Sequence, residues 1–282
     1  MHHRLCAFRN FGVALRGAAA PQWQPPSRLG RALAALALWA AACVAPAVVA
    51  AGAAGAAESP PSPWTSQATV PALQASHVAA CTACHGPQGR ATPSGYFPRI
   101  AGKPEEYLYQ QLLNFRDGRR SYPLMGHLLQ HQSDTMLHGM ARYFAALDLP
   151  YPPPEPPAST ATRLARGAQL VREGDAARGI PACTQCHGAQ LTGSLPAVPG
   201  LLGLSRDYLN SQLGAWRTGR RAARAPDCMA QVAKGLALED VADLSAWLAT
   251  QAVPVPAHAA APSSARWPLP CGAAPQAGEG KP

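Results

Sequence analysis

Two short stretches, "CTACHG" (81–86) and "CTQCHG" (183–188), each set two cysteines three residues apart and follow the second directly with histidine. Thiols at i and i+3 share a helical face. Both can therefore form thioether bonds to the vinyl groups of one porphyrin, with the adjacent imidazole held beneath the iron as a proximal ligand. Cys81, Cys84 and His85, and again Cys183, Cys186 and His187, are thus candidates for holding two covalently attached haem c groups. Two rival chemistries compete. Zinc wants four ligands per site, whereas each stretch offers only its own cluster locally. A redox dithiol has no use for the histidine in both copies.

The elements that must position these clusters also occur twice. "PRIAGKPEEYLYQQLLNFRDGRR" (98–120) and "PGLLGLSRDYLNSQLGAWRTGRR" (199–221) align without a gap, with ten of 23 positions identical and Phe115 opposite Trp216. A period of about a hundred residues is a duplicated domain rather than a solenoid unit. Within each copy the apolar pattern is helical. Tyr107, Leu108, Gln111, Leu112 and Phe115 share one face, with Pro104 in the first turn and Gly118 at the end. Ser133 and Asp134 can cap a helix whose face is Met136, Met140, Tyr143, Phe144 and Leu147. Glu239 and Asp240 open another, with Val241, Leu244, Trp247 and Leu248, and 163–174 reads as a helix ahead of the second cysteine pair. No alternating strand pattern competes, so the fold class is all-α. The prolines of 150–162 predict a stiff, extended linker of roughly 3 Å per residue. The expected organisation is 58–149 and 163–252 as two small domains, with 253–282 as a Pro/Ala-rich, mostly irregular tail.

Hydrophobic residues make up 48% of the chain but aromatics only 6%, so much of the apolar content is alanine, and a bound group would help fill the interior. Residues 1–57 carry five arginines and no acids, which leaves 19 basic against 15 acidic residues in the rest. No basic cluster suits nucleic acid. Arg28 and Arg31 precede the apolar run "ALAALALWAAACVAPAVVAAGAAGAA", the pattern of an export leader with cleavage between 50 and 58, or of a retained membrane anchor. A lipoprotein site at Cys43 fits less well, because the apolar stretch continues past it. Export places the chain in the oxidising periplasm.

The tandem C-x-x-C-H motifs, the repeated "P-x-x-x-G…Y-L-x-x-Q-L…R-x-G-R-R" stretches and "RGAQLVREGDAARGIPACTQCHG" (166–188) resemble the dihaem c-type cytochromes of the cytochrome c4 kind. The resemblance covers roughly residues 70–250. It implies two tandem class I cytochrome c domains joined by the Pro-rich linker, each with a methionine on the far side of its haem. Met125 lies 40 residues after His85, and Met229 lies 42 after His187, each eight before the stretch that opens the next helix. These two complete the expected ligand pairs. Met136 and Met140 read as core filler, and His127, His131 and His138 as solvated surface. The resemblance further implies that the carbonyls of Pro98 and Pro199 accept the Nδ1 hydrogens of His85 and His187. It places haem propionates within reach of Arg116, Arg119, Arg120, Arg217, Arg220 and Arg221. Tyr107 and Tyr208 read as helix-face packing.

Cys228 and Cys271 remain as an even pair in an oxidising compartment, which predicts a disulfide. The rival is Cys228 as a thiolate ligand, as in some sulfur-oxidising cytochromes. With both axial positions filled, the expected role is a carrier of single electrons rather than an enzyme. Its partners would be respiratory: a cytochrome bc complex or a dehydrogenase as donor, a terminal oxidase or reductase as acceptor. Alternatives are a peroxidase-like or thiosulfate-oxidising oxidoreductase, or the cytochrome subunit of a membrane dehydrogenase.

Overall fold

The computed structural model describes residues 72–262 and 266–274. The leader segment 1–57 lies outside the described residues. Among those described, no helix is long and apolar enough to cross a membrane.

In chain order the elements are α1 (Ala79–His85), α2 (Glu105–Arg116), α3 (Pro123–Leu129), α4 (Asp134–Ala145), α5 (Ala161–Glu173), α6 (Thr184–His187), β1 (Gly193–Ser194), β2 (Val198–Pro199), α7 (Arg206–Arg217), α8 (Cys228–Gly235) and α9 (Leu238–Ala249). The duplication is visible in the elements, since α2 and α7 cover equivalent stretches of the two aligned repeats. Each copy has its own apolar core. Val78, Leu108, Leu113, Leu129, Leu137 and Phe144 build one, and Val171, Leu209, Leu213, Leu244, Trp247 and Leu248 the other. The fold is two tandem helical units joined by the Pro-rich segment.

Local chemistry sets the helix limits. Ser133 caps α4 by accepting from Met136 N at 3.2 Å, and Asp227 caps α8 by accepting from Ala230 N at 2.9 Å. The fully buried face of α4 is Leu137, Ala141 and Phe144, while Met136, Met140 and Tyr143 are only half-buried. The expected face is thus rotated towards residues that touch α2. One short antiparallel pair, β1 with β2, interrupts the all-α pattern where Gly193 pairs with Pro199. Two residues per strand are too few to show as alternation.

The linker is extended, as its prolines require, but it does not stand clear of the body. Arg99 donates to the carbonyls of Leu149 at 2.6 Å and Pro150 at 3.0 Å, with its guanidinium 3.9 Å from the Tyr151 ring centroid. Further along, Glu155 N donates to Ala249 O at 2.9 Å.

Helices α5 and α9 cross where Gly167 leaves no room for a side chain. A Cβ there would lie 2.2 Å from the Asp243 carbonyl oxygen. The Gly167→Ala variant of the holoprotein is expected to lose about 3 kcal/mol, read as a lowered denaturant midpoint with unchanged slope, because backbone rather than a flexible side chain must move.

The same crossing carries a buried charge network. Asp240 accepts from Arg166 at 2.8 Å and from Arg178, and also from Ala237 N at 3.0 Å. Although its burial opposes ionisation, these donors hold its carboxyl down at about 2. A depressed carboxylate contributes stability above its unfolded value near 4, and that contribution is lost as pH falls through about 2. Asp240→Asn is expected to cost about 2 kcal/mol at neutral pH. Chemical unfolding of variant and parent should converge as pH is lowered towards 2.

Candidate functional site

Each Cys–x–x–Cys pair sits on a short helix that ends at its histidine. Helix α1 closes at His85, and α6 at His187 with Cys183 as its N-cap residue. The glycine of each "CHG" turns the chain away at φ +76° (Gly86) and +82° (Gly188), in the region that favours glycine. That turn lays the following loop back over the histidine. His85 Nδ1 donates to Pro98 O at 2.8 Å, and His187 Nδ1 donates to Pro199 O at 2.7 Å. The carbonyl can only accept, so the proton is on Nδ1 and each Nε2 is left as the free donor atom towards a metal. Burial lowers the pKa of both imidazoles, keeping them neutral, as ligation requires. Burial raises the thiols of Cys81 and Cys186, and holds that of Cys183 at about 11.

A continuous cavity of about 1020 Å³ runs through both halves. It is lined by both cysteine pairs, His85, His187, Met125 and Met229. This volume lies at the top of the range for a site holding one small ligand, about 300–1,000 Å³. Met125 and Met229 each lie near the start of a short helix, α3 and α8, which the sequence pattern does not reveal. Met140 also borders the cavity, whereas Met136 does not.

The competing histidines separate. His127 and His131 are exposed, and His127 reaches the cavity rim. His138 is not solvated surface. It is buried, stacked on Tyr109 at 4.7 Å and paired through Nε2 with Glu105 at 2.8 Å. Its helical position places it against α2, where those two residues face it.

The six arginines divide similarly. Arg116 pairs with Asp117 and Asp134, and Arg119 with Asp117. Arg217 donates to the carbonyls of Ala233 and Leu236, and Arg220 is exposed at the edge of the cavity. Arg120 and Arg221 instead meet at the junction of the two halves, joined by an isolated backbone bridge. Arg120 donates to Gln111, Gln212 and Tyr208 at 3.1, 2.6 and 2.9 Å. Arg221 donates to Gln212 and Gln111 at 2.8 and 3.0 Å. Each stacks on the aromatic of its own half, Phe115 or Trp216. Tyr208 is therefore more than helix-face packing. The Gln111/Gln212 pair was missed as a functional feature, although polar identity at equivalent repeat positions was its signal.

These residues fit haem. Arg120 and Arg221 are buried side by side, and among the described residues neither has an ion-pair partner. Burial and the neighbouring Arg120 both lower the pKa of Arg221. Two buried like charges are costly without an anion, and propionates supply one. The indole nitrogen of Trp216 and the amide of Gln110 are also buried on the cavity wall without a protein partner. Cys228 is bonded to Cys271 and is thereby removed from the set of thiolate ligands.

No family model matches the chain. Among curated relatives, the "thiosulfate dehydrogenase electron acceptor" of Thiomonas intermedia is 34% identical over 189 residues, 67% of this chain and 85% of that protein. Cytochrome c4 of Pseudomonas aeruginosa is 35% identical, over 60% of this chain and 83% of its own length. Among solved structures, reduced cytochrome c4 from Pseudomonas stutzeri superposes with a TM-score of 0.54 at 32% identity, over 61% of this chain and 94% of that one. Repeat, paired C-x-x-C-H helices and relatives agree: this chain belongs to the cytochrome c4 family of electron-transfer proteins, which carry two covalently bound haem c groups.

Proposed function

We propose that the exported chain is a periplasmic carrier of single electrons rather than an enzyme. In this reading Cys81 and Cys84, and Cys183 and Cys186, hold the two haems, with His85 and Met125 on one iron and His187 and Met229 on the other. The working organisation is a leader over 1–57, cytochrome domains over 58–149 and 163–252, a linker over 150–162 and a tail over 253–282. The observation that carries this is the shared cavity lined by all eight of those residues. When bound, the haem supplies reversible one-electron chemistry, with a potential raised by a histidine–methionine pair. The protein's own part is positional. Pro98 and Pro199 fix the imidazoles, α3 and α8 present the thioethers, and Arg120 and Arg221 offer charge to the carboxylates.

Donors of two kinds fit a carrier of this family: a cytochrome bc complex, or a periplasmic or membrane dehydrogenase. One relative is named as the electron acceptor of thiosulfate dehydrogenase, which supports a sulfur-oxidising dehydrogenase as donor. Acceptors would be a terminal oxidase or reductase. The test is spectroscopic. Holoprotein should show a far-red sulfur-to-ferric band from both haems and take up neither cyanide nor carbon monoxide at rest. One high-spin, ligand-binding haem would instead assign a peroxidase-like activity.

A further inference from the structure

The two halves differ at the mouth of the cavity. In the first half, Tyr96 and Leu124 stand on the rim, on the histidine side and the methionine side. They are 61% and 65% exposed, and Leu128 beside them is 40% exposed. By the repeat, Tyr96 and Phe97 correspond to Ala197 and Val198, and Leu124 corresponds to Cys228. There the same surface is covered, with Ala197 5% and Val198 7% exposed.

What covers it is the tail. On the histidine side Ala260 N donates to Gly193 O at 2.9 Å and Leu195 N donates to Ala260 O at 2.8 Å, extending the β1–β2 pair. On the methionine side Cys271 is bonded to Cys228, and Gly272 N donates to Pro226 O at 2.9 Å. Gly272 is packed so closely that a Cβ would lie 2.1 Å from Ala225 O. Between these anchors Trp267, Leu269 and Cys271 turn to the cavity, and Arg266, Pro268 and Pro270 turn to solvent. Ala274 then packs on Ala197 and Val198. The described tail residues thus meet the mouth on both its sides.

We propose that the described tail residues, 253–262 and 266–274, are a built-in cap over the second haem pocket, and that external electron exchange occurs at the open mouth of the first. The inference rests on the carrier reading above. The partner's chemistry follows from the rim. Segments 86–104 and 118–133, which frame the open mouth, hold no Asp or Glu, and Arg90, His127 and His131 are exposed on them. A redox protein with an apolar centre and an acidic rim fits. One electron leaves the reduced partner, enters the first half and distributes between the two halves, and no proton or leaving group moves.

The test uses the fully reduced holoprotein with a soluble gadolinium chelate, reading relaxation of the porphyrin methyl protons of each haem. Several-fold stronger enhancement is expected at the first haem, and equal enhancement at both would overturn the cap. A chain ending at residue 252 and carrying Cys228→Ala should bring the second haem up to the level of the first; no rise in a folded truncated chain also overturns it. If truncation prevents folding, the intact chain still decides. In stopped-flow with a reduced acidic class I cytochrome c, Leu124→Glu should slow reduction of both haems several-fold, and an unchanged rate sinks the proposed port. Failure of the carrier reading is distinguishable, since the haems would then lack reversible one-electron reduction before any chelate is added.

Discussion

Met229→Ala is expected to abolish the far-red sulfur-to-iron band of one haem, lower that haem's potential by on the order of 100 mV, and open it to cyanide and carbon monoxide. Met125→Ala should shift the other potential in the same direction, yet leave a closed site. The difference lies in what else borders the cavity. In the first half His127 lines it two residues beyond Met125, is exposed, and among the described residues is held by a contact with Gln130 at 3.1 Å, so its imidazole can move in. In the second half the histidine that follows Met229 is His258, on the tail and 3.7 Å from Asp148, and it does not line the cavity. A second imidazole donates more electron density than a thioether, so the first haem stays low-spin at a lower potential, and the second loses a ligand outright. Optical and paramagnetic resonance spectra with a two-step potentiometric titration check both. Retention of the far-red intensity in either single variant would remove that methionine from the ligand set.

The parts of this site that sequence could reach are those set by local spacing. Two thiols and an imidazole within five residues need only one helical turn to come together, and α2 and α7 announce themselves through repeated apolar faces. The short helix α3, "PLMGHLL", is too brief and too apolar all round for periodicity to separate it from a loop. His138 was placed on the surface because a lone polar residue in an amphipathic helix usually belongs there. Only the packing of α4 on α2 brings Glu105 and Tyr109 to meet it. The facing guanidiniums of Arg120 and Arg221 were hidden for the same reason. The duplication marked both positions, but not that the two copies would turn those positions towards each other. Composition described the tail as irregular, which is true of the backbone of its described residues, and said nothing of where they lie. Cysteine counting alone tied it to Cys228, beside Met229 on α8.

That tie carries the second large effect. Replacing Cys228 and Cys271 together by alanine is expected to lower the stability of the holoprotein by about 4 kcal/mol if loop-closure entropy of the unfolded chain is the whole term, since the bonded residues are 43 apart. For a domain pair of this size that is a fall of roughly 10 °C in the calorimetric midpoint. Among the described residues, the tail's other anchors include the Ala260 bridge, the Gly272 hydrogen bond, the exposed contact of His258 with Asp148, Val253 on the second core and the small apolar cluster around Ala274. Those contacts close only after the tail has been brought back to the body, and without the covalent link that ordering entropy opposes them. The tail should therefore open locally well below the midpoint of the helical core. In limited proteolysis at neutral pH the double variant should lose residues beyond about 252 while both haem units stay intact, whereas the parent resists until it unfolds. A variant with parental midpoint and parental resistance would mean that the noncovalent anchors alone hold the tail in place. A lowered midpoint without early tail cleavage would put the whole effect in the unfolded state, as loop closure requires.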